Sequence, residues 1–433
     1  MSLARGLVIG APRSGSGKTV VTLGLLAALR QRGVVVSPAK TGPDYIDPAF
    51  LGRAAMREAV NLDPWSMSPA RLKALAEVQA TGADMLLVEG VMGLFDGAAD
   101  NAGSTADLAE LLDLPVVLVV DSERQSQSIA PLVAGFANWR PGVRVGGVIL
   151  NRVASAKHER MLLDAVAATG IPCLGAIPRS VELTVPERHL GLVLPGEVAA
   201  FETFVAHAAR MVGDYIDLEQ FLELAAPLDF DTRPAVPLPP LGQRIAIARD
   251  DAFAFLYPHL LDGWRLAGAE LSFFSPLANE MPSGDCDAVF LPGGYPELHA
   301  ERLAAADGFK AGLLAARERD ALIYGECGGF MVLGEALVDK SGATHAMAGL
   351  LPVTTRIDRP KRVLGYRNLV HGGALPWPGR LKGHEFHYSS AKQSRLPPLF
   401  AATDARGDAM PPMGAVIGRV MGSYAHVVDA AHG

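Results

Sequence analysis

Cysteine is scarce: Cys173, Cys286 and Cys327 are the only three in a chain of 433 residues. So few, in odd number, give no disulfide framework and no zinc-site spacing, and they fit a reducing compartment. Charge is modest, with 39 Lys and Arg against 46 Asp and Glu, for a net charge of −7. That balance lacks the basic excess expected of a nucleic-acid partner. No apolar run is long enough to span a membrane. The chain enters its first strand-like segment, Gly6-Leu7-Val8-Ile9, with no cleavable signal pattern. Internal repeats are absent, as are low-complexity tracts beyond one Pro-rich stretch. What is present is 49% hydrophobic and 20% charged residues, a profile of two or three globular domains with sizeable cores. A cytoplasmic location is expected, and a homodimer is the expected state for an α/β chain of this size.

Chemistry concentrates first at Tyr324-Gly325-Glu326-Cys327-Gly328-Gly329-Phe330. The apolar run Ala321–Tyr324 predicts a short buried strand, and Phe330–Leu337 carries apolar residues at helical spacing. A thiol at a Gly-rich turn between strand and helix is a nucleophile elbow with sulfur in place of oxygen. The helix N-terminus is expected to favour the thiolate and to offer N–H groups to an oxyanion. A lone cysteine between turn glycines reads first as structural. A second Gly-rich loop in the same half, Phe290-Leu291-Pro292-Gly293-Gly294-Tyr295-Pro296-Glu297, favours catalysis. Gly294 and Gly328 are the candidate oxyanion donors, and His384, His387 and His426 the candidate bases.

The N-terminal half carries a phosphate loop. Strand-like Gly6–Ile9 leads into Gly10-Ala11-Pro12-Arg13-Ser14-Gly15-Ser16-Gly17-Lys18-Thr19, and Val20–Arg30 predicts a helix. Arg13, Ser14, Gly15, Ser16, Gly17, Lys18 and Thr19 would surround ATP phosphates, with the Thr19 hydroxyl on Mg²⁺. The spacing departs from Walker A, which places glycine where Pro12 stands. Val34–Val36 predicts a strand, and Lys40, Asp44, Tyr45 and Asp47 would follow it on a ligand-binding loop. Met85–Glu89 is an apolar strand ending in an acid, a Walker B arrangement in which Glu89 would meet Mg²⁺. Asp96 stands in a Gly-rich turn, and Asp107 reads as a helix cap. Strands are predicted at Pro115–Asp121 and Val145–Leu150, with Asn151 a candidate for the adenine base. Arg188 and His189 lie in a polar loop open to an anionic substrate, or are plain surface. Prolines 227, 234, 237, 239 and 240 mark an interdomain linker over 226–242, between domains at 1–225 and 243–433.

The ordered motifs resemble one family along nearly the whole chain. The loop GAPRSGSGKT resembles the long P-loop of dethiobiotin synthetase-like proteins. PGGYPE with YGECGGF resembles class I glutamine amidotransferases. KTGPDYIDP, VEGVMGLFDG, GSTADLA, PERHLGL, LGYR, GHEFHYS and GSYAH are similar to those of cobyrinic or hydrogenobyrinic acid a,c-diamide synthases. The resemblance implies an α/β fold of two parts: a P-loop parallel-sheet domain and a flavodoxin-like glutaminase domain. It implies ATP- and glutamine-dependent amidation of a corrin's a- and c-acetate carboxylates through acyl phosphates, with Mg²⁺. Cys327 with His426 would release ammonia from L-glutamine, and the ammonia would cross between domains. Lys18 and Arg13 would hold phosphates, and Thr19, Glu89 and Asp44 the metal. Lys40, Tyr45, Asp47, Asp96, Arg188 and His189 would serve the substrate. Glutaminases of this type orient their histidine with an acid two residues on, where this chain has Val428, and Asp429 falls one residue late. A cobyric acid synthase or nickel-tetrapyrrole amidase of the same build is the near alternative. A partitioning-type ATPase with a degenerate glutaminase is the distant one.

Overall fold

The computed structural model describes residues 4–180, 183, 201–230, 236–360, 362–393 and 396–432. The chain divides into two compact units, Met1–Ala235 and Val236–Gly433. In the first, aliphatic runs form β1 (Arg5–Gly10), β2 (Val36–Thr41), β3 (Val60–Leu62), β4 (Met85–Glu89), β5 (Val116–Asp121), β6 (Val145–Val153) and β7 (Cys173–Pro178). Their order is β3-β2-β4-β1-β5-β6-β7, all parallel. Strands covered on both faces must be apolar throughout, and β4 and β5 are buried at every position. Helix α1 (Lys18–Gln31) follows β1, and α2 (Asp47–Ala55) follows β2. Because the strands are parallel, the loops after β1, β2, β4, β5 and β6 gather at one sheet edge, the usual ligand edge of such folds.

Two local expectations fail here for identifiable reasons. The strand expected at Val34–Val36 begins at Val36 instead. Val34 N–H closes the end of α1 on Leu29 O (3.1 Å), and Val35 N–H goes to the Asp84 carboxylate (2.8 Å). Lys40 is therefore on β2 itself, not on a loop. The Pro-rich stretch also contributes to the sheet, since β8 (Ala226–Pro227) pairs antiparallel with the first residues of β1. Proline is tolerated because the ladder there is only two residues long. Asp107 does form a capping box with Ser104.

The second unit is built on β9 (Arg244–Ala248), β10 (Glu270–Phe274), β11 (Ala288–Leu291) and β12 (Leu322–Glu326). There follow β13 (Ala336–Val338), β14 (Thr344–Ala346), β15 (Val353–Arg356), β16 (Val363–Val370), β17 (Arg380–His387), β18 (Ser390–Gln393), β19 (Phe400–Thr403) and β20 (Ala409–Met413). The last are β21 (Ala415–Ile417), β22 (Val420–Ser423) and β23 (Ala425–Ala430). The main sheet runs β10-β9-β11-β12-β22-β21, with only β21 antiparallel. A second sheet, β20-β19-β16-β17-β23, receives the chain directly from β22 through Tyr424. The helix expected over Phe330–Leu337 is shorter, Gly328–Leu333. It stops because the chain turns at Gly334 into β13, where Glu335 N–H bonds Val353 O (2.8 Å).

Candidate functional site

In the first unit, the loop after β1 is fixed from behind by side chains. Ser16 Oγ donates to Arg13 O (2.9 Å), Asn151 Nδ2 to Ser16 O (2.9 Å) and the Arg152 guanidinium to Gly15 O (3.0 Å). Gly17 has φ 91°, and a Cβ there would sit 2.2 Å from Asn151 Nδ2, so only glycine fits. Asn151, expected at an adenine base, thus has its amide nitrogen committed to the loop. Arg13 and Arg152 share the Asp121 carboxylate, at 3.1 and 2.8 Å. Ser14 is exposed and Ser16 buried.

Lys18 and Thr19 open α1 under this loop. Lys18 is buried, donates to Met92 O at 2.5 Å, and its ammonium is pulled down to about 8 by burial. The Thr19 hydroxyl donates to Glu89 Oε1 (2.7 Å), joining α1 to the end of β4. Glu89 is fully buried and also accepts from Lys40 (2.8 Å), which in turn meets Asp47 (2.6 Å). Burial opposes the Lys40 charge, but Asp47 and Glu89 outweigh it and hold the ammonium well above its ordinary value. Burial opposes the Asp47 charge as well, and Lys40 holds that carboxylate low. Asp44 is pushed up by burial and by Asp47; its Oδ1 accepts the amides of Ile46 and Asp47 and so shapes the entry to α2. Tyr45 is buried beside it. Asp96 accepts from Gly93 N (2.8 Å), and its charge reaches Lys18. Arg188 and His189 lie outside the described residues.

A magnesium ion fits this arrangement. Glu89 Oε2 is buried without a hydrogen-bond partner, beside a threonine hydroxyl. Among the described residues no group of three His, Cys, Asp or Glu could hold a metal alone. Mg²⁺ needs no such cage, because substrate phosphates and water complete its shell.

In the second unit, Cys327 follows β12 as the cap of the helix Gly328–Leu333, at φ 46° and ψ −104°. A non-glycine residue there is strained by about 1–3 kcal/mol, and such strain gathers at functional turns. The Gly-rich loop after β11 lies against the elbow: a Cβ on Gly328 would be 3.0 Å from Gly294 N and 2.8 Å from Pro296 Cδ. Both candidate oxyanion donors are therefore on adjoining turns. Burial raises the Cys327 thiol well above its usual range, and Glu297 adds to the effect. The resting sulfur is thus a thiol, contrary to the thiolate expected from the helix N-terminus; a helix of one and a half turns beside buried carboxyls does not offset desolvation. Glu297 itself is pushed up to about 7 by burial.

His426, on β23, is fully buried and held down at about 3, by burial first and then by His384 and His387. It is neutral at pH 7, the form a general base requires. His426 and His384 are direct cross-strand partners. His384, also lowered by burial, to about 4, packs against Tyr366. His387 instead bonds Glu385 (2.9 Å), which bonds Arg367 (2.7 Å). The His426 ring stands against Gly293, where a Cβ would come within 2.3 Å of Cε1. Glu326 stands close to it, with Oε2 3.8 Å from Nδ1. Asp429 pairs with Lys382 at the far side of a bulge and accepts from Ala430 N (2.8 Å). Asn151 aside, what sequence reasoning missed here are Asp121, Arg152, Gly293, Glu297 and Glu326.

Two results follow from this geometry. Alkylation of Cys327 by iodoacetamide should climb about tenfold per pH unit from pH 7 to 9.5, because only the thiolate reacts and its fraction rises with pH below a raised pKa. Mass spectrometry of the Cys327 peptide reads the rate, and a plateau below pH 8.5 would contradict a buried neutral thiol. Gly293→Ala should lower glutamine kcat/KM by about 10²-fold, since the new methyl displaces the His426 ring by about 1 Å. Steady-state kinetics with glutamine and with ammonium separates this from a general loss, which would affect both.

Residues 244–432 match the family described as CobB/CobQ-like glutamine amidotransferase domain. Residues 7–193 match the family described as CobQ/CobB/MinD/ParA nucleotide binding domain. A Brucella suis protein named hydrogenobyrinate a,c-diamide synthase is 53% identical over 429 residues, covering 98% of each chain. Proteins of the same name from Rhizobium meliloti and Rhodobacter capsulatus are 51% and 48% identical, each covering 98% of this chain and 99% and 98% of their own. No helix among the described residues is long and apolar enough to cross a membrane.

Proposed function

The chain belongs to the hydrogenobyrinate a,c-diamide synthase family, and from that premise we propose that it is a glutamine-dependent ligase of cobalamin biosynthesis that amidates the a- and c-acetates of hydrogenobyrinic or cobyrinic acid. The observation that carries the reading is the pairing, in one chain, of a phosphate loop tied to a buried acid with a strained cysteine whose turn adjoins the Gly293-Gly294 loop against which a neutral histidine stands.

Residues 1–225 act as the ATP- and corrin-binding part, 226–242 as a linker, and 243–433 as the glutaminase. A carboxylate resists ammonia because its carbonyl is electron-rich and oxide is a poor leaving group. Phosphoryl transfer from ATP turns it into an acyl phosphate. Lys18, the loop amides and Arg13 hold phosphates, and Arg13 must leave Asp121 to do so. Thr19 and Glu89 would hold Mg²⁺, which supplies charge neutralisation at the phosphates. Asp44 serves by shaping the turn that presents Tyr45 and Asp47. Lys40 positions Asp47 and Glu89, and Asp47, Asp96, Arg188 and His189 would serve the corrin. Asn151 supports the loop rather than the base.

At the other site, Cys327 Sγ attacks the glutamine amide carbon as His426 takes the thiol proton. The Gly294 and Gly328 N–H groups stabilise the oxyanion. The C–N bond breaks, His426 returns the proton to the leaving nitrogen, and ammonia departs. Water then hydrolyses the thioester to glutamate and free thiol. The enzyme works in the cytoplasm, as a homodimer. Incubation with hydrogenobyrinic acid, MgATP and glutamine tests the reading by mass spectrometry. Two exchanges of O for NH, about one mass unit lighter each, are expected from carboxyl-to-amide chemistry. A single exchange, or amides at other side chains, would assign the chain to another member of the amidase group. ATP hydrolysis without glutamine consumption would overturn the ligase reading.

A further inference from the structure

The histidine that takes the Cys327 proton needs a partner on its other nitrogen, and the usual position two residues on is Val428. We propose that Glu326, the residue immediately before the nucleophile, is the positioning acid of this glutaminase, holding His426 through Nδ1. The assignment rests on the glutaminase reading above and deepens it.

The topology brings the two together. Glu326 ends β12 opposite Ser423 of β22, and the chain reaches β23 and His426 only three residues later. Glu326 is held on two sides: Oε1 accepts from the Tyr324 hydroxyl (2.9 Å) and from Val427 N–H (3.0 Å). Val427 directly follows His426, so the bond fixes the carboxyl to the same stretch of β23 that carries the base. The other oxygen, Oε2, stands 3.8 Å from His426 Nδ1, and both groups are sealed from solvent. A contraction of about 1 Å would close a hydrogen bond, and catalytic contacts are often long before substrate binds.

The groups around the pair are consistent with this role. Tyr324 shares the strand with Glu326, and His384 and His387 face His426 from β17. Burial raises Glu326 to about 8 while lowering His426 to about 3, so the resting pair shares little charge. Where Glu326 is ionised, its carboxylate accepts from Nδ1–H and stabilises the positive charge that His426 gains with the thiol proton. With a proton held on Nδ1, Nε2 is left as the acceptor for the thiol.

Replacing Glu326 with Gln preserves volume and puts an amide where the carboxylate stood. An amide N–H donated to Nδ1 forces the opposite tautomer and leaves Nε2 protonated. Glu326→Gln should lower glutamine kcat by about 10²- to 10³-fold, with glutamine KM within about threefold. Amidation with ammonium should be unchanged. Residual glutamine turnover should rise with unit slope in pH through pH 9, hydroxide replacing the lost base. A merely structural carboxyl would not produce that slope.

Asp429→Asn is the second arm and should keep glutamine turnover within about threefold. If Asp429→Asn gives the hydroxide-dependent profile instead, Asp429 is the positioning acid and Glu326 is not. Full glutamine activity in Glu326→Gln overturns the proposal, as does a profile of wild-type shape. Glutamine use surviving in Cys327→Ala would instead sink the glutaminase reading itself.

Discussion

Cys327→Ala is expected to abolish glutamine-dependent amidation, by about 10⁴-fold or more, and to leave amidation with ammonium salts within about twofold of wild type. The sulfur is the only atom lost. Alanine keeps the Cβ, so the strained φ of 46° is neither relieved nor worsened. The cavity left behind is smaller than a Leu→Ala cavity, and its cost falls at or below the low end of the 2–5 kcal/mol range for large-to-small core changes. In the proposed mechanism the acyl phosphate forms on the other unit, from residues this substitution does not touch. Parallel assays with glutamine and with ammonium chloride, at one pH and matched ATP, read the outcome. Equal loss with both nitrogen sources would mean that the sulfur is not a dedicated glutaminase nucleophile.

Glu89→Gln should behave in the opposite sense. Amidation should fall by about 10³-fold with either nitrogen source, equivalent to about 4 kcal/mol of transition-state stabilisation. Glu89 is the point where the phosphate loop, β2 and β4 meet, accepting from both Thr19 and Lys40. Both bond the same oxygen, Oε1, so glutamine can keep that acceptor for them but carries no charge for a cation. Lys40 keeps Asp47 at 2.6 Å, so the buried ammonium is not orphaned and the fold should hold. The Cys327 peptide should alkylate at the wild-type rate, reporting an intact second unit. Retained activity with ammonium alone would remove Glu89 from the phosphoryl-transfer step.

The strands were largely legible because they are apolar runs bounded by glycine and proline, and β4 and β5 fall where the pattern places them. Elements whose logic is local were readable too: Gly17-Lys18-Thr19 opens a helix, and Cys327 sits at a turn. Lys40, Asp47 and Glu89 were each visible as charges near strand ends, but their joining was not. That depends on the β2–β4 register, which places Lys40 opposite Glu89. Glu326 was hidden for the same kind of reason, its partner lying one hundred residues away and reached only through the β12–β22 pairing. The thiol's protonation state was also out of reach, because desolvation depends on what covers a group rather than on its neighbours in sequence. Gly293 was overlooked beside Gly294, and only the placement of the His426 ring separates their duties.

The phosphate loop has a thermodynamic consequence. Three of its carbonyls, those of Arg13, Gly15 and Ser16, are already occupied by side chains from within the loop and from β6. Freezing a backbone residue costs about 1–2 kcal/mol, and that cost was met here when the chain folded. Nucleotide binding therefore carries little ordering entropy in the loop, and the ligand's interaction energy goes into affinity instead of into freezing chain. Cutting one of those tethers, as in Asn151→Ala, should loosen nucleotide binding through the loop's backbone.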